Sequence, residues 1–329
     1  MSRRSRLVAV GLTSLLVLPL GLFVGSVGLA PGEVLEVLTG GGGATERDLI
    51  LRFRLPRILL ASVLGGGLAL AGAIFQALLR NPLAEPYILG VSGGAAVGAV
   101  TVLALGLTTL SSWTLPLAAF AGALVAIGLV FRVATASGRA LDVRVLLLAG
   151  VVVGAFFSAV ISFILAVSDA RTVRSAVLWM MGSTAGADWH NVAVAAAYTL
   201  PTALVLIGLA RALNTLAVGE ETALYLGTEV ERVKRIAFAA ASLITAAGVA
   251  VAGVIGFVGL VVPHALRLVV GSDHRVLLPL SFLVGAAFLT TADTVARILL
   301  SPTEIPIGVV TAFVGVPIFL VLLRRSALQ

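Results

Sequence analysis

Stretches without a charged residue or histidine dominate the chain and determine its fold class. A helix needs about 20 mostly apolar residues to span the hydrocarbon core of a membrane. Stretches near or above this length lie at residues 7–30, 58–79, 86–131, 145–168, 191–210, 236–263, 276–292 and 305–323. The sequence therefore predicts a protein that crosses a membrane many times.

Two of these stretches each contain more than one helix. The stretch 86–131 is too long for one span, and its polar, proline-containing segment 111–116 favours a turn near the middle. In the stretch that starts at residue 236, Gly256 and Pro263 disfavour one continuous helix. We expect a full span there, followed by a short helix over about 258–270.

The basic residues predict how these spans are oriented. With ten helices, 15 of the 22 lysines and arginines fall on one side of the membrane, which the positive-inside rule assigns to the cytoplasm. Both termini then lie in the cytoplasm. The stretch 7–30 exceeds the apolar core of a signal peptide, so we expect it to remain as the first span. The sequence thus predicts an all-α, polytopic membrane protein of about ten transmembrane helices, with residues 1–329 as one domain in the cell (inner) membrane.

Composition excludes several classes of protein. Residues of hydrophobic type make up 60% and charged ones 11%, against about 25% charged in a soluble domain. Despite the net charge of +7, the chain has no basic run with interleaved aromatics, so we expect no nucleic-acid partner. It contains no cysteine, and its three histidines lack metal-ligand spacing. Its lone lysine, Lys234, follows a valine, so no phosphate-binding Gly-Lys-Ser/Thr loop exists and another chain must hydrolyse any ATP used.

A weak internal repeat accompanies the predicted spans. Residues 69–90 match residues 250–271 at eight of 22 positions, including Gly72 with Gly253 and Pro82 with Pro263. These segments begin in spans of opposite direction, as in the inverted repeats of many transporters. Chance similarity among small residues is the alternative. The many glycines inside spans are explained either by close helix packing or by walls that slide past each other.

Two polar blocks interrupt the apolar pattern and resemble a known family. The first comprises Arg54-Leu55-Pro56-Arg57, then Gln76 and the segment 80–86; the second comprises 256–264, 271–275, Asp293, Arg297 and 304–308. Across nearly the whole chain these blocks resemble the FecCD family, the membrane permeases of bacterial ABC importers for iron-siderophores, haem and vitamin B12. The resemblance implies a non-catalytic permease subunit of ten helices.

The resemblance also implies partners. A second permease subunit, in a homodimer as the first choice or in a close heterodimer, would accompany two cytoplasmic ABC ATPases and a periplasmic or lipid-anchored substrate-binding protein. ATP and Mg would bind to the ATPases, and this chain would bind no cofactor and no metal. Membrane lipid would surround it.

Three arginines match the residues with which the family's vitamin B12 importer docks acidic knobs of its binding protein. They are Arg54, Arg57 and Arg297. Guanidinium groups at one outer surface can make bidentate contacts with carboxylates and raise the rate of encounter. The alternative is that Arg54 and Arg57 are interfacial anchors whose side chains reach water at the membrane surface.

A cytoplasmic segment, residues 211–235, resembles the family's coupling helices, which fit a groove on the ATPase. The pattern predicts a short helix with acidic residues in its first turn and a glycine at its end. The alternative is an ordinary solvated loop helix. The candidate coupling residues are Gly219, Glu220, Glu221, Ala223, Leu226 and Gly227.

The remaining candidates are structural. Asp293 precedes Arg297 by four residues, a spacing that favours an ion pair on one helix face rather than a proton relay. Asn81-Pro82 predicts a helix end followed by a tight loop. Gln76 and Pro263 belong to the two motif blocks. Residues 139–144 lie where the family narrows its cytoplasmic exit, and we expect a gate there.

These observations predict the permease subunit of an ATP-driven importer of metal chelates. An iron-siderophore is the first choice of cargo, with vitamin B12 and haem as alternatives. A secondary transporter driven by protons or sodium is the main rival, and Asp293 is its only support. A membrane-embedded enzyme is the second rival, but no clustered His, Cys or acidic motif supports it.

Overall fold

The computed structural model describes residues 3–25, 27–135 and 142–326, and within these ranges the chain folds into α-helices joined by turns. A π-helical turn, Leu49–Arg54, and two 3₁₀ turns, Pro86–Leu89 and Leu107–Thr109, complete the helical structure. The helices are α1 (Arg3–Phe23), α2 (Pro31–Leu38), α3 (Ala44–Asp48), α4 (Leu55–Leu78), α5 (Val91–Ala104), α6 (Thr114–Thr135), α7 (Val143–Ala166), α8 (Ala170–Met180), α9 (Trp189–Gly208), α10 (Ala210–Val218), α11 (Glu220–Tyr225), α12 (Val230–Ala252), α13 (Val258–Val270), α14 (His274–Ile298) and α15 (Ile307–Ser326).

The apolar helices occupy the positions that the sequence predicts for spans. Among the described residues, six helical runs are long and apolar enough to cross a membrane, and α1, α5, α13 and α15 contain shorter apolar runs. The chain is therefore an all-α, polytopic membrane protein. That all ten helices span the membrane, with both termini in the cytoplasm, stays a prediction.

The break after α12 confirms the division predicted there. Gly253 and Phe257 have positive φ values of +71° and +68°, which end α12 and turn the chain before α13. Residues between α4 and α5 accept hydrogen bonds from N–H groups of this break. The Ile255 N–H donates to the Tyr87 hydroxyl at 3.2 Å, and the Phe257 N–H donates to the Glu85 carboxylate at 2.7 Å. The second predicted division is also confirmed, with α5 and α6 separated by a turn.

Helix α4 is the most buried of the long apolar helices. It packs most extensively on α14 and also contacts α9, α12 and α13. By contrast, few residues of α6, α7 and α9 are buried, as expected for helices that face lipid or another subunit. The core therefore surrounds α4, and any movement of this helix must displace several neighbours.

The two segments of the predicted repeat differ in local structure. In the matched register Pro82, in the loop after α4, stands opposite Pro263, which lies inside α13. The repeat itself stays a prediction.

Glycines allow α4 to approach its neighbours at the backbone. A methyl group at Gly65 would overlap the carbonyl oxygen of Gly285 on α14, and one at Gly72 would overlap that of Gly259 on α13. Small residues at such crossings permit close contact in lipid, where water does not drive association. At these positions the glycines serve close packing.

We expect Gly72→Ala to destabilise the protein by about 1–3 kcal/mol, because the added methyl group must push α4 and α13 apart. Gly128→Ala is the matched control, since nothing lies within 4 Å of a methyl group at Gly128. Its effect should stay within about 1 kcal/mol. Denaturant titration in mild detergent measures both. Equal stability of the two variants would contradict the close crossing.

Candidate functional site

Arg54, Arg57 and Arg297 form one cluster, which we name the outer arginine cluster after its predicted side of the membrane. It centres on Arg57, in the first turn of α4. Its Nε donates to both carboxylate oxygens of Asp293 at 3.0 Å, and Nη2 donates to Oδ1 at 2.9 Å. Its Nη1 and Nη2 donate to the two oxygens of Glu304, each at 2.9 Å. One guanidinium thus holds two carboxylates by paired hydrogen bonds, a geometry that arginine suits and lysine does not.

Asp293 is the buried centre of this cluster. Its side chain is 1% exposed, and its Oδ1 also accepts a hydrogen bond from Thr184, in the loop between α8 and α9. Nε of Arg297 lies 3.2 Å from its Oδ2, which confirms the predicted ion pair. Because a buried charge is costly unless it is paired, these partners explain how an acid is accommodated in a membrane protein.

Arg54 is buried and binds a different part of the chain. Its Nη1 donates to the carbonyl oxygen of Leu22 at 2.6 Å, and Nη2 donates to that of Val27. Instead of reaching out to water, the side chain holds the end of α1 beside the start of α4. Even so, Arg54, Arg57 and Arg297 line one cleft of about 260 Å³, together with Glu304. The structure therefore brings the three predicted docking arginines together, while docking itself stays a prediction.

Gln76 connects α4 to the start of α13. Its Nε2 lies within hydrogen-bond distance of the carbonyl oxygens of Ala84, Gly259 and Leu260 at 3.3, 3.1 and 3.2 Å, and its Oε1 accepts from Arg267. Gln76 is buried, so these bonds satisfy backbone groups that water cannot reach.

The predicted turn after α4 is present, and the second motif proline is part of the core. The helix ends at Leu78, and the Asn81 side chain accepts a hydrogen bond from the Leu83 N–H at 2.9 Å, which fixes the tight loop that contains Pro82. Pro263 lies buried within α13. Asn81, Pro82 and Pro263 thus shape the backbone.

The candidate coupling segment forms the predicted short helix, α11. Gly219 precedes it, Glu220 and Glu221 occupy its first turn, and Gly227 follows it with a φ of +79°. The Gly227 and Thr228 N–H groups donate back to Leu224 and Ala223, each at 2.9 Å, which is the hydrogen-bond pattern of a glycine-terminated helix.

The tip of α11 is apolar and exposed. Leu224, Tyr225 and Leu226 are 59%, 92% and 69% exposed, whereas Ala223 is fully buried at the base. An exposed apolar tip flanked by acidic residues suits insertion into a groove better than it suits solvent. Leu226 can therefore contact a partner and Ala223 cannot. The coupling role stays a prediction.

Ion pairs join α11 to the end of α4 and to the start of α12. Glu220 lies 2.6 Å from the Nζ of Lys234 on α12 and 3.7 Å from the guanidinium of Arg80 at the end of α4. The Lys234 side chain is 5% exposed. Sequence reasoning did not assign Arg80, Lys234, Thr184 or Glu304 to the site. Signals were nevertheless available, since Arg80 and Glu304 lie in the two motif blocks and Lys234 is the lone lysine in an apolar chain.

A polar junction joins α10 to the start of α14. Asp273, just before α14, accepts hydrogen bonds from Arg275 and Asn214, and these bonds hold the pKa of its carboxyl well below the usual range. The carboxylate thus stays ionised. The His274 ring contacts the Asn214 side chain at 2.7 Å. The part of the chain that the structure describes contains no group of three or more residues suited to hold a metal ion.

Two further regions are the predicted gate and a cavity beside α15. Of the predicted gate at 139–144, residues 139–141 lie outside the described residues; Asp142 caps α7 through the Arg144 N–H at 2.8 Å. An open apolar cavity of about 660 Å³ lies beside α15, and its lining includes Met181, Val254, Phe257, Phe313 and Pro317.

We expect Asp293→Asn to destabilise the protein by about 3–5 kcal/mol, because it leaves two arginines without their shared buried anion. Asp48→Asn is the control: its exposed pair with Arg52 is worth about 1 kcal/mol or less. Unfolding in mild detergent measures both. If the variants lost equal stability, Asp293 would not be the centre of the cluster.

Comparisons with known proteins agree with this architecture. The chain is 49% identical over 280 residues to the cobalamin import system permease protein BtuC of Halobacterium salinarum, covering 85% of this chain and 74% of that one. It is 42% identical to the vitamin B12 import system permease protein BtuC of Klebsiella pneumoniae, covering 98% and 95%.

A solved structure described as an inward-facing metal-chelate type ABC transporter superposes with a TM-score of 0.86 at 33% identity, covering 97% of this chain and 98% of that one. The sequence model of the FecCD transport family matches residues 12–325. The chain therefore belongs to the FecCD transport family.

Proposed function

We propose that the chain is the permease subunit of an ABC importer of metal chelates, and that its cargo is cobalamin. The observation that carries this proposal is the 49% and 42% identity to relatives named for cobalamin and vitamin B12 import. Cobalamin thus replaces the iron-siderophore, which the sequence motifs alone had favoured, as the first choice of cargo. Siderophore and haem import by the same mechanism are the alternatives.

The energy source would lie on other chains. The lone lysine of this chain is paired with Glu220 and belongs to no phosphate-binding loop. ATP and Mg would bind to two cytoplasmic ABC ATPases, and this chain would bind no cofactor. A second copy of the permease would supply the other wall of the path, which accounts for the exposed face of α7 and the open cavity beside α15.

Transport would use two surfaces, the outer arginine cluster and the tip of α11. A binding protein would dock its acidic residues at the outer arginine cluster and release the chelate towards the cavity beside α15. The apolar tip of α11 would enter a groove on the ATPase. Since Glu220 is paired with Arg80 and Lys234, movement of α11 would pass directly to α4 and α12.

Ion-coupled secondary transport receives less support from the site. Such a transporter needs an acid that can exchange a proton or ion within the membrane. Asp293 is instead held by Arg57, Arg297 and Thr184, a set of partners that favours a structural ion pair over an exchange site. A membrane-embedded enzyme has no candidate site among the described residues.

We expect ATP-dependent uptake of cobalamin when the permease, its ATPase and its binding protein are reconstituted together in proteoliposomes. Ferric siderophore and haem are tested in the same vesicles, and an ATPase variant without its phosphate-binding lysine is the control. Uptake of a siderophore or haem but not cobalamin would show that cobalamin is not the cargo. Uptake driven by a proton gradient in vesicles without the ATPase would show that the protein is not part of an ATP-driven importer.

We also expect Leu226→Glu to weaken association with the ATPase at least about tenfold, because a charge would enter an apolar groove. Leu110→Glu, in the turn between α5 and α6, is the control, since Leu110 is 73% exposed and lies outside residues 211–235. Copurification and ATPase activity in nanodiscs measure the effect. Equal association of the two variants would remove α11 from the interface.

A further inference from the structure

The guanidinium of Arg57 has almost no free donor. Arginine carries five N–H groups. Asp293 takes the one on Nε and one on Nη2, and Glu304 takes one on Nη1 and the other on Nη2. A single Nη1 hydrogen is left. Arg57 cannot make a paired contact with a carboxylate of another protein until it releases one of its own.

The two carboxylates differ in how firmly they are held. Asp293 is 1% exposed and has Arg297 and Thr184 as further partners. Glu304 is 36% exposed and lies in the loop between α14 and α15, on the rim of the arginine cleft. An exposed pair is screened by water and is weak, whereas breaking a buried one leaves an uncompensated charge. Glu304 is therefore the carboxylate that can be exchanged.

We propose that Glu304 occupies the carboxylate subsite of the outer arginine cleft and is displaced when an aspartate or glutamate of an acidic partner docks. The inference rests on the proposed function, in which a binding protein docks at this surface. The net cost of docking is then low, because one carboxylate replaces another on the same guanidinium. Glu304 sets the affinity by competing for Arg57.

Glu304 lies close in sequence to residues that line the cavity beside α15. Four residues after Glu304, the Gly308 N–H donates to the Met181 carbonyl at 3.0 Å, and Ile307 donates to Gly182 at 3.2 Å. Met181 and Gly308 both line the apolar cavity beside α15. The segment 304–308 therefore leads directly from the rim of the arginine cleft to the wall of this cavity.

Glu304→Gln tests the exchange, because the amide keeps the size of the side chain and removes its charge. The full chain is placed in phosphatidylcholine nanodiscs, and the probe is fluorescein-labelled hexaglutamate, with hexalysine as the peptide control. We expect E304Q to bind hexaglutamate about two- to fivefold more tightly than the unchanged chain, the size expected for removing an exposed ion-pair competitor. Asp48→Asn makes the same charge change at the exposed pair with Arg52 and should show a smaller gain.

The double variant decides whether Arg57 is responsible. The gain from E304Q must disappear in an Arg57→Gln background; size-exclusion chromatography confirms that each variant is folded. No gain in E304Q, a gain no larger than that of D48N, or a gain that persists without Arg57 would overturn the inference. Separately, equal hexaglutamate binding by R57Q and the unchanged chain would reject the docking surface itself.

Discussion

The fold depends on the pairing of a buried charge inside a protein that is largely apolar. Asp293 has almost no contact with water, and in such surroundings an ionised carboxylate persists only with partners of opposite charge. Arg57 and Arg297 supply them, and Thr184 adds a hydrogen bond. These contacts join α4 to α14 and to the loop before α9. The position of the outer cleft follows from this single constraint.

Helix α4 connects that cleft to α11. Arg57 lies in its first turn, and Arg80, just beyond its end, pairs with Glu220 of α11. Between them, glycine crossings with α13 and α14 bring the backbones into contact, so α4 has little freedom to move alone. The surfaces proposed for the binding protein and for the ATPase therefore lie at opposite ends of the most buried long helix.

Local patterns in the sequence were sufficient for the parts of the structure that depend on neighbouring residues. The division after α12, the end of α11 at Gly227 and the pair of Asp293 with Arg297 at helical spacing were all predicted and confirmed. Contacts between distant segments were not accessible, because one sequence does not show which helices pack together. Arg57 contacts Asp293, which follows it by 236 positions, and Glu304, which follows it by 247. The Arg54 side chain turns inward to backbone carbonyls. The motifs also did not identify the cargo, since their residues pack the helices together and are proposed to dock a partner.

The central claim is that the arginine cleft and α11 lie on opposite sides of the membrane. The chain has no cysteine, so a single introduced cysteine reports its own side. Thr303, beside Glu304, and Tyr225, at the tip of α11, are both exposed. In spheroplasts, a membrane-impermeant maleimide should label Thr303→Cys directly and Tyr225→Cys only after permeabilisation. Labelling of both from outside, or of Tyr225→Cys alone, would contradict the account.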